Sequence, residues 1–177
     1  MKLLLLKYGE IGLKGKNRYF FESQLIENIK ARLKDYQVEI ISETGRIYVN
    51  YEDDLVPLIV KDTFGLVQVC LCEKVPLDLE ALEEKIGQML ATYELAGMTF
   101  KIEARRTNKK YPMNSPELNS HLGSFVLKKF PQLRVDVHNP DFLIEVEVRN
   151  SFYVYFECHR ALGGMPYGSS AKAVLLM

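Results

Sequence analysis

The stretch KLLLLKYGEIGLKGKNRYFFESQLIENIKARL, residues 2–33, decides how the chain begins to fold. Residues 2–8 are largely apolar and stop at Gly9, the pattern of a buried strand. Gly9, Gly12 and Gly15 then punctuate a loop. After Asn17, in the N-cap role, Phe21, Leu25, Ile29 and Leu33 recur at four-residue steps with Ile26 beside them, so one helical stripe must find a core. Beyond it, Val38 and Ile40, then Ile47, Val49 and Tyr51, alternate about Glu43–Thr44–Gly45 as a hairpin does. Leu55, Leu58 and Ile59 predict a short helix with Gly65 as its stop, and 66–75 a strand closed by Pro76.

The resulting order, β-α-β-β-α-β, is the ferredoxin-like arrangement. A second α+β unit follows. Asp78 caps a helix whose stripe is Leu79, Leu82, Ile86, Met89, Leu90 and Tyr93. Residues 98–106 alternate as a strand, with Phe100, Ile102 and Ala104 on one face. Ser115–Pro116–Glu117 starts a helix, with Ser115 as the cap, and Pro131 stops it. A short strand over 133–137 and a hairpin, 142–148 turning at Asn150–Ser151 into 152–156, complete the unit. The expected fold is therefore α+β: a ferredoxin-like domain over 1–74, a second domain over 75–162, then a linker and one strand over 163–177. The linker is read from the composition of Gly163–Gly164–Met165–Pro166–Tyr167–Gly168–Ser169–Ser170. The apolar run after Lys172 has the look of a strand covered on both faces, or of one added to an existing sheet edge.

Across 177 residues the net charge is zero, so the whole chain names no partner. The distribution is more telling. Residues 1–20 carry Lys2, Lys7, Lys14, Lys16 and Arg18 against Glu10, and residues 101–112 carry Lys101, Arg105, Arg106, Lys109 and Lys110 against Glu103. Segregated basic patches on a neutral chain suit a polyanion. Three cysteines, an odd number, make no disulfide framework and fit a reducing, cytoplasmic setting. Cys70 and Cys72 read as core or partly buried thiols and Cys158 as structural; adjacent Cys158 and His159 point to opposite faces of a strand and do not form a nucleophile–base pair. No metal set is evident. His121 and His138 read as structural, Asp136 and Asp141 as turn formers.

Two places remain as candidate RNA contacts. Lys14, Lys16 and Arg18 lie in the glycine loop before the first long helix, where helix amides favour an anion; packing against a neighbouring domain is the equal alternative. Arg105, Arg106, Lys109 and Lys110 lie at a strand end and in the loop before the Ser115 helix, with Tyr111 able to stack on a base.

Specific motifs add to this. Tyr8–Gly9–Glu10–Ile11–Gly12–Leu13–Lys14–Gly15–Lys16–Asn17–Arg18 resembles the N-terminal motif of the tRNA 4-thiouridine synthase (tRNA sulfurtransferase) family. Phe100, Arg105–Arg106, Tyr111–Pro112, Ser115–Pro116–Glu117–Leu118, Gly123 and Val135–Asp136–Val137–His138–Asn139–Pro140–Asp141, followed by residues 144–149, resemble a THUMP domain. The 163–168 segment and 172–177 are similar to that family's lead into its ATP-binding pyrophosphate-loop domain.

The resemblance implies the tRNA-binding region of an enzyme that makes 4-thiouridine at position 8 by ATP-dependent adenylation and persulfide sulfur transfer, in several relatives also serving thiamine thiazole synthesis. It implies tRNA as partner, gripped at the acceptor stem and CCA end by the THUMP part, and a cysteine desulfurase as sulfur donor; a homodimer is also carried as an option. On this expectation the chain stops before the catalytic domain, contains no catalytic residue, is inactive alone, and reaches the edge of the ATP site only at Leu176 and Met177. The other readings are a THUMP module of a different RNA-modifying enzyme, a small ferredoxin-like phosphatase in which Arg18 and Asn17 loosely imitate an acylphosphatase loop, and an interaction module.

Overall fold

A computed structural model describes residues 1–43 and 45–169. The elements, in chain order, are β1 (Lys2–Tyr8), α1 (Arg18–Arg32), β2 (Glu39–Glu43), β3 (Arg46–Tyr51), α2 (Val56–Val60), β4 (Leu66–Val75), α3 (Leu79–Leu90), β5 (Thr99–Arg106), α4 (Ser115–Lys129), β6 (Arg134–Val135), β7 (Phe142–Val148) and β8 (Phe152–Arg160). They form two compact units. Among the described residues, the first holds 1–71 and 157–169; the second holds Cys72–Phe156.

In the first unit the strand order is β2-β3-β1-β4. β1 and β3 run antiparallel with Lys2 opposite Tyr51 and Leu6 opposite Ile47, and β2 pairs β3 with Glu43 opposite Arg46. The hairpin between β2 and β3 turns through Gly45, whose φ of 79° is a conformation other residues seldom adopt. Leu4 and Leu6 of β1, Leu25, Ile29 and Leu33 from the α1 stripe, and Val56 and Val60 from α2 share one buried core. Burying a leucine or isoleucine of that kind contributes about 2 kcal/mol, which holds α1 on the sheet.

In the second unit the order is β8-β7-β5-β6. β5 and β7 are parallel, Phe100 opposite Phe142 and Arg106 opposite Val148, with α4 in the crossover; β7 and β8 are an antiparallel hairpin. Leu82, Ile86 and Leu90 of α3, Leu118, Leu122 and Val126 of α4, and Ile144, Val146 and Val148 of β7 close its core. The cap of α4 is one residue earlier than expected. Asn114, not Ser115, accepts from the Glu117 amide at 3.0 Å, while the Glu117 carboxylate accepts from the Asn114 amide at 2.8 Å, a reciprocal capping box.

Period-two alternation places Glu145 and Glu147 on the face of β7 opposite its core valines, yet both are buried. Burial is tolerable because partners are supplied. The Tyr155 hydroxyl donates to Glu147 at 3.1 Å and lies 3.4 Å from Glu145, and Arg149 donates to the other Glu147 oxygen at 3.0 Å.

Two further findings depart from the sequence expectations. Cys70 and Cys158 form a disulfide, although the cysteine count suggested none; Cys72 is a buried thiol outside that bridge, as expected. The two partners are 88 residues apart, so only the fold brings them together, and the loop they close contains the whole second unit. The glycine-rich stretch that composition marks as a flexible linker lies, as far as residue 169, against the first unit. Ala161 donates to the Val67 carbonyl, Gly163 and residues 65–66 exchange two backbone bonds, and Asn28 donates to the Tyr167 carbonyl at 3.0 Å. Gly65 is required there: its φ is 101°, and a Cβ would stand 3.1 Å from Pro166. Thr44 of the hairpin turn and the expected strand 172–177, with Leu176 and Met177, lie outside the described residues.

Candidate nucleic-acid interface

The glycine loop of the first unit is not an open cradle of amides. Glu10–Leu13 and Gly15–Asn17 are short 3-10 turns. The amides of Gly12, Lys14 and Asn17 donate to the carbonyls of Gly9, Ile11 and Lys14 at 3.0, 3.2 and 3.1 Å. Ile11, fully buried, pins the loop to the core. With these three amides already satisfied, the loop does not present the row of free amides that a phosphate-binding nest requires.

The three candidate cations of this loop have different fates. Lys14 and Lys16 are exposed, Lys14 with its ammonium 5.6 Å over the Phe21 ring. Arg18 is half-buried and committed: its Nε donates to Glu22 at 2.7 Å and its Nη2 to the Tyr8 hydroxyl at 3.0 Å. Tyr8 in turn donates to Glu22. Burial first, then the Glu22 carboxylate, pushes the Tyr8 phenol up to about 12, so it stays protonated and donating at neutral pH. The hydrogen bond to Glu22 likewise raises Arg18, which stays charged. Asn17 occupies the N-cap position of α1 without a side-chain capping bond.

In the second unit the four cations also divide. Arg105 grips Glu103 at 2.7 Å and lies 4.0 Å from Glu145, on the carboxylate-rich face of the sheet. Arg106 turns inward along the loop and donates to the carbonyls of Tyr111 at 2.9 Å and Met113 at 3.3 Å, which fixes the loop's shape. Thr107 and Asn108 tie the same loop to the end of β7 through the Val148 carbonyl, both at 3.1 Å. That rigid base leaves Lys109 and Lys110 at the exposed tip. Tyr111 packs edge-on against Phe152 at 5.2 Å and joins the core margin. The first turn of α4 is already answered by the Glu117 carboxylate, so the loop's positive charge rests on the two lysines rather than on the helix end. An open groove of about 270 Å³ runs beside α4, lined by Asn119, Ser120 and Gly123 with Lys101, Val135 and Val137.

Periodicity assigned no function to Tyr19 and Phe20. Both are exposed at the start of α1, off the four-residue stripe, and Tyr19 lines a cleft of about 290 Å³. Their position outside the stripe was the available signal. Among the described residues no cluster of His, Cys, Asp or Glu is placed to hold a metal ion, and no helix is long and apolar enough to cross a membrane.

An α+β first unit carrying this tyrosine–glycine loop, followed by a βαβ-containing unit with a basic loop before a capped helix, defines a ferredoxin-like plus THUMP pair. Residues 3–70 match the family described as ThiI ferredoxin-like domain, and residues 77–157 match the THUMP domain. The chain is 42% identical to a "Probable tRNA sulfurtransferase" of Thermoanaerobacter pseudethanolicus, over 99% of this chain and 46% of that protein. Among solved structures it is similar to a 4-thiouridine synthetase–RNA complex with bound ATP (TM-score 0.79, 34% identity, 100% of this chain and 46% of that one). It is also similar to PH1313 from Pyrococcus horikoshii (TM-score 0.84, 28% identity, 96% of this chain and 58% of that one). The chain belongs to the tRNA sulfurtransferase family and corresponds to its N-terminal ferredoxin-like and THUMP region. It spans about half the length of the curated relatives it matches.

Proposed function

We propose that this chain binds tRNA for a sulfurtransferase that installs 4-thiouridine at position 8, and that its second unit takes the acceptor stem and CCA end. The observation that carries the reading is the match along 99% of the chain to a protein named for tRNA sulfur transfer, with the two domains in the same order. The neighbour of known structure with RNA bound supports an RNA partner. Lys109 and Lys110, exposed on a loop held rigid from beneath by Arg106 and Asn108, suit phosphate contacts. Lys14 and Lys16 supply a second basic patch.

The same proposal gives the complete enzyme ATP for adenylation of the uridine, a cysteine desulfurase as source of persulfide sulfur, a cytoplasmic setting, and in some relatives a link to thiamine thiazole synthesis. None of that chemistry is assigned to the described residues. The test compares tRNA with tRNA trimmed of its CCA end in a mobility-shift titration. Trimming is expected to weaken binding by about tenfold or more, since contacts to several unpaired bases are lost at once. Equal affinity for the two RNAs rejects the acceptor-end role.

A further inference from the structure

The start of α1 carries a second feature that fits RNA and that the lysines alone do not explain. Tyr19 is 82% exposed, Phe20 55% and Leu13 87%. Single exposed apolar residues are ordinary; here three fall within eight positions, interleaved with the exposed lysines Lys14 and Lys16. Tyr19 also walls a cleft of about 290 Å³ whose other lining is Gly15, Arg18, Glu22, Ser42 and Glu43. Gly15 widens it: no atom lies within 4 Å of the place where a Cβ would stand, and its φ of 51° disfavours any other residue. The volume falls at the low end of small-ligand pockets, suited to one base rather than a dinucleotide.

The cleft wall is held rigid. Arg18 bridges Glu22 and Tyr8, tying the first turn of α1 to β1. It also offsets the Glu22 charge inside the cleft, whose second carboxylate, Glu43, is paired in register with Arg46 across β2 and β3. Behind Tyr19, Phe20 meets Phe21 edge-on at 5.3 Å, and Lys14 lies over Phe21. An exposed aromatic face beside a slot, flanked by cations, is how proteins hold unpaired nucleotides: the ring takes the base and the cations take the phosphates on either side.

We propose that the cleft at the start of α1 is a base-stacking site for a single-stranded RNA segment, with Tyr19 as the stacking face and Lys14 and Lys16 as the flanking phosphate contacts. The proposal rests on the tRNA-binding reading and adds to it a place for an unpaired base in the first unit. The polyanion is chosen over an apolar protein surface because the exposed Leu13, Tyr19 and Phe20 share their stretch of chain with the exposed lysines Lys14 and Lys16.

The whole chain is titrated with an eight-nucleotide single-stranded RNA carrying 2-aminopurine at its centre, and separately with labelled tRNA. Tyr19→Ala is expected to weaken the short RNA by at least about fivefold and to relieve quenching of the 2-aminopurine, with an unchanged salt slope, because a ring but no charge is lost. Tyr19→Phe retains the ring and is expected to stay within about twofold of the parent. At 82% exposure neither change should alter thermal unfolding, which serves as the fold control. Affinity within twofold of the parent for Tyr19→Ala, with quenching intact, overturns the site. A Tyr19→Ala change that alters sedimentation and leaves RNA affinity intact overturns it in favour of contact with a second copy. If Lys109→Glu/Lys110→Glu weakens tRNA while Tyr19→Ala weakens neither RNA, this inference falls and the tRNA-binding reading stands. If the parent chain binds neither RNA, both fall.

Discussion

Reversing the charge at Lys109 and Lys110 together should lower tRNA affinity by about tenfold or more near 100 mM salt, across tRNA sequences alike. Each exposed lysine that meets a phosphate releases a counterion, so the slope of log affinity against log salt should fall by about one for each lysine removed. The effect is expected to be clean because neither lysine supports the fold. The loop is shaped by Arg106 donating to the carbonyls of Tyr111 and Met113 and by Asn108 donating to the Arg149 carbonyl. By contrast, Arg106→Ala would loosen the loop and confuse lost charge with lost shape. Equilibrium titration at several salt concentrations gives both the affinity and the slope. An unchanged slope for Lys109→Glu/Lys110→Glu would mean that the loop tip does not face the RNA.

The second large effect concerns stability. Opening the Cys70–Cys158 cross-link should destabilise the first unit by up to about 4–5 kcal/mol, because the bridge closes a loop of 88 residues. The figure assumes that the cross-link acts by restricting the unfolded chain, where the loop-closure entropy grows with the logarithm of loop length. Both cysteines belong to the first unit, while the second unit lies wholly inside the loop. Its α3–α4 core should therefore keep most of its own stability when the bond is opened. Urea unfolding of the parent with and without a dithiol reductant, beside Cys158→Ala, measures this. The reductant should bring the parent down to the variant and leave the variant where it was. A parent indifferent to reductant would show that the bridge contributes nothing in solution.

Much of the fold was legible where one periodicity dominated. Phe21, Leu25, Ile29 and Leu33 could only be one helical stripe, and Leu25, Ile29 and Leu33 are indeed buried. The β2–β3 hairpin was legible from alternation about Gly45, whose backbone conformation demands a small residue. What failed to show depends on contacts between distant segments. Alternation gave Glu145 and Glu147 to one face of β7; it could not reveal that Tyr155 and Arg149 would permit their burial. Counting three cysteines could not pair Cys70 with Cys158, because that pairing follows from strand adjacency. Composition took Gly163–Ser169 for a free linker, whereas backbone bonds to residues 65 and 66 hold it down.

The candidate site was legible as charge and illegible as geometry. Seven cations read as equal in sequence. In the structure Arg18, Arg105 and Arg106 are committed to Glu22, Glu103 and loop carbonyls, and the lysines remain exposed. The i,i+4 spacing of Arg18 and Glu22 was a visible hint of that division; the Tyr8 hydroxyl that completes the network comes from another strand and was not. Tyr111, expected from the sequence as a stacking ring, is partly buried and packs edge-on against Phe152, while Tyr19, off the helical stripe, stands in the open.

The most direct measurement is a binding isotherm of this chain with tRNA at 50 mM and 200 mM salt. The account predicts saturable binding at the lower concentration and a loss of at least about tenfold at the higher, since several phosphates are neutralised by exposed lysines. Absence of binding at 50 mM, or an affinity that does not respond to salt, would contradict it.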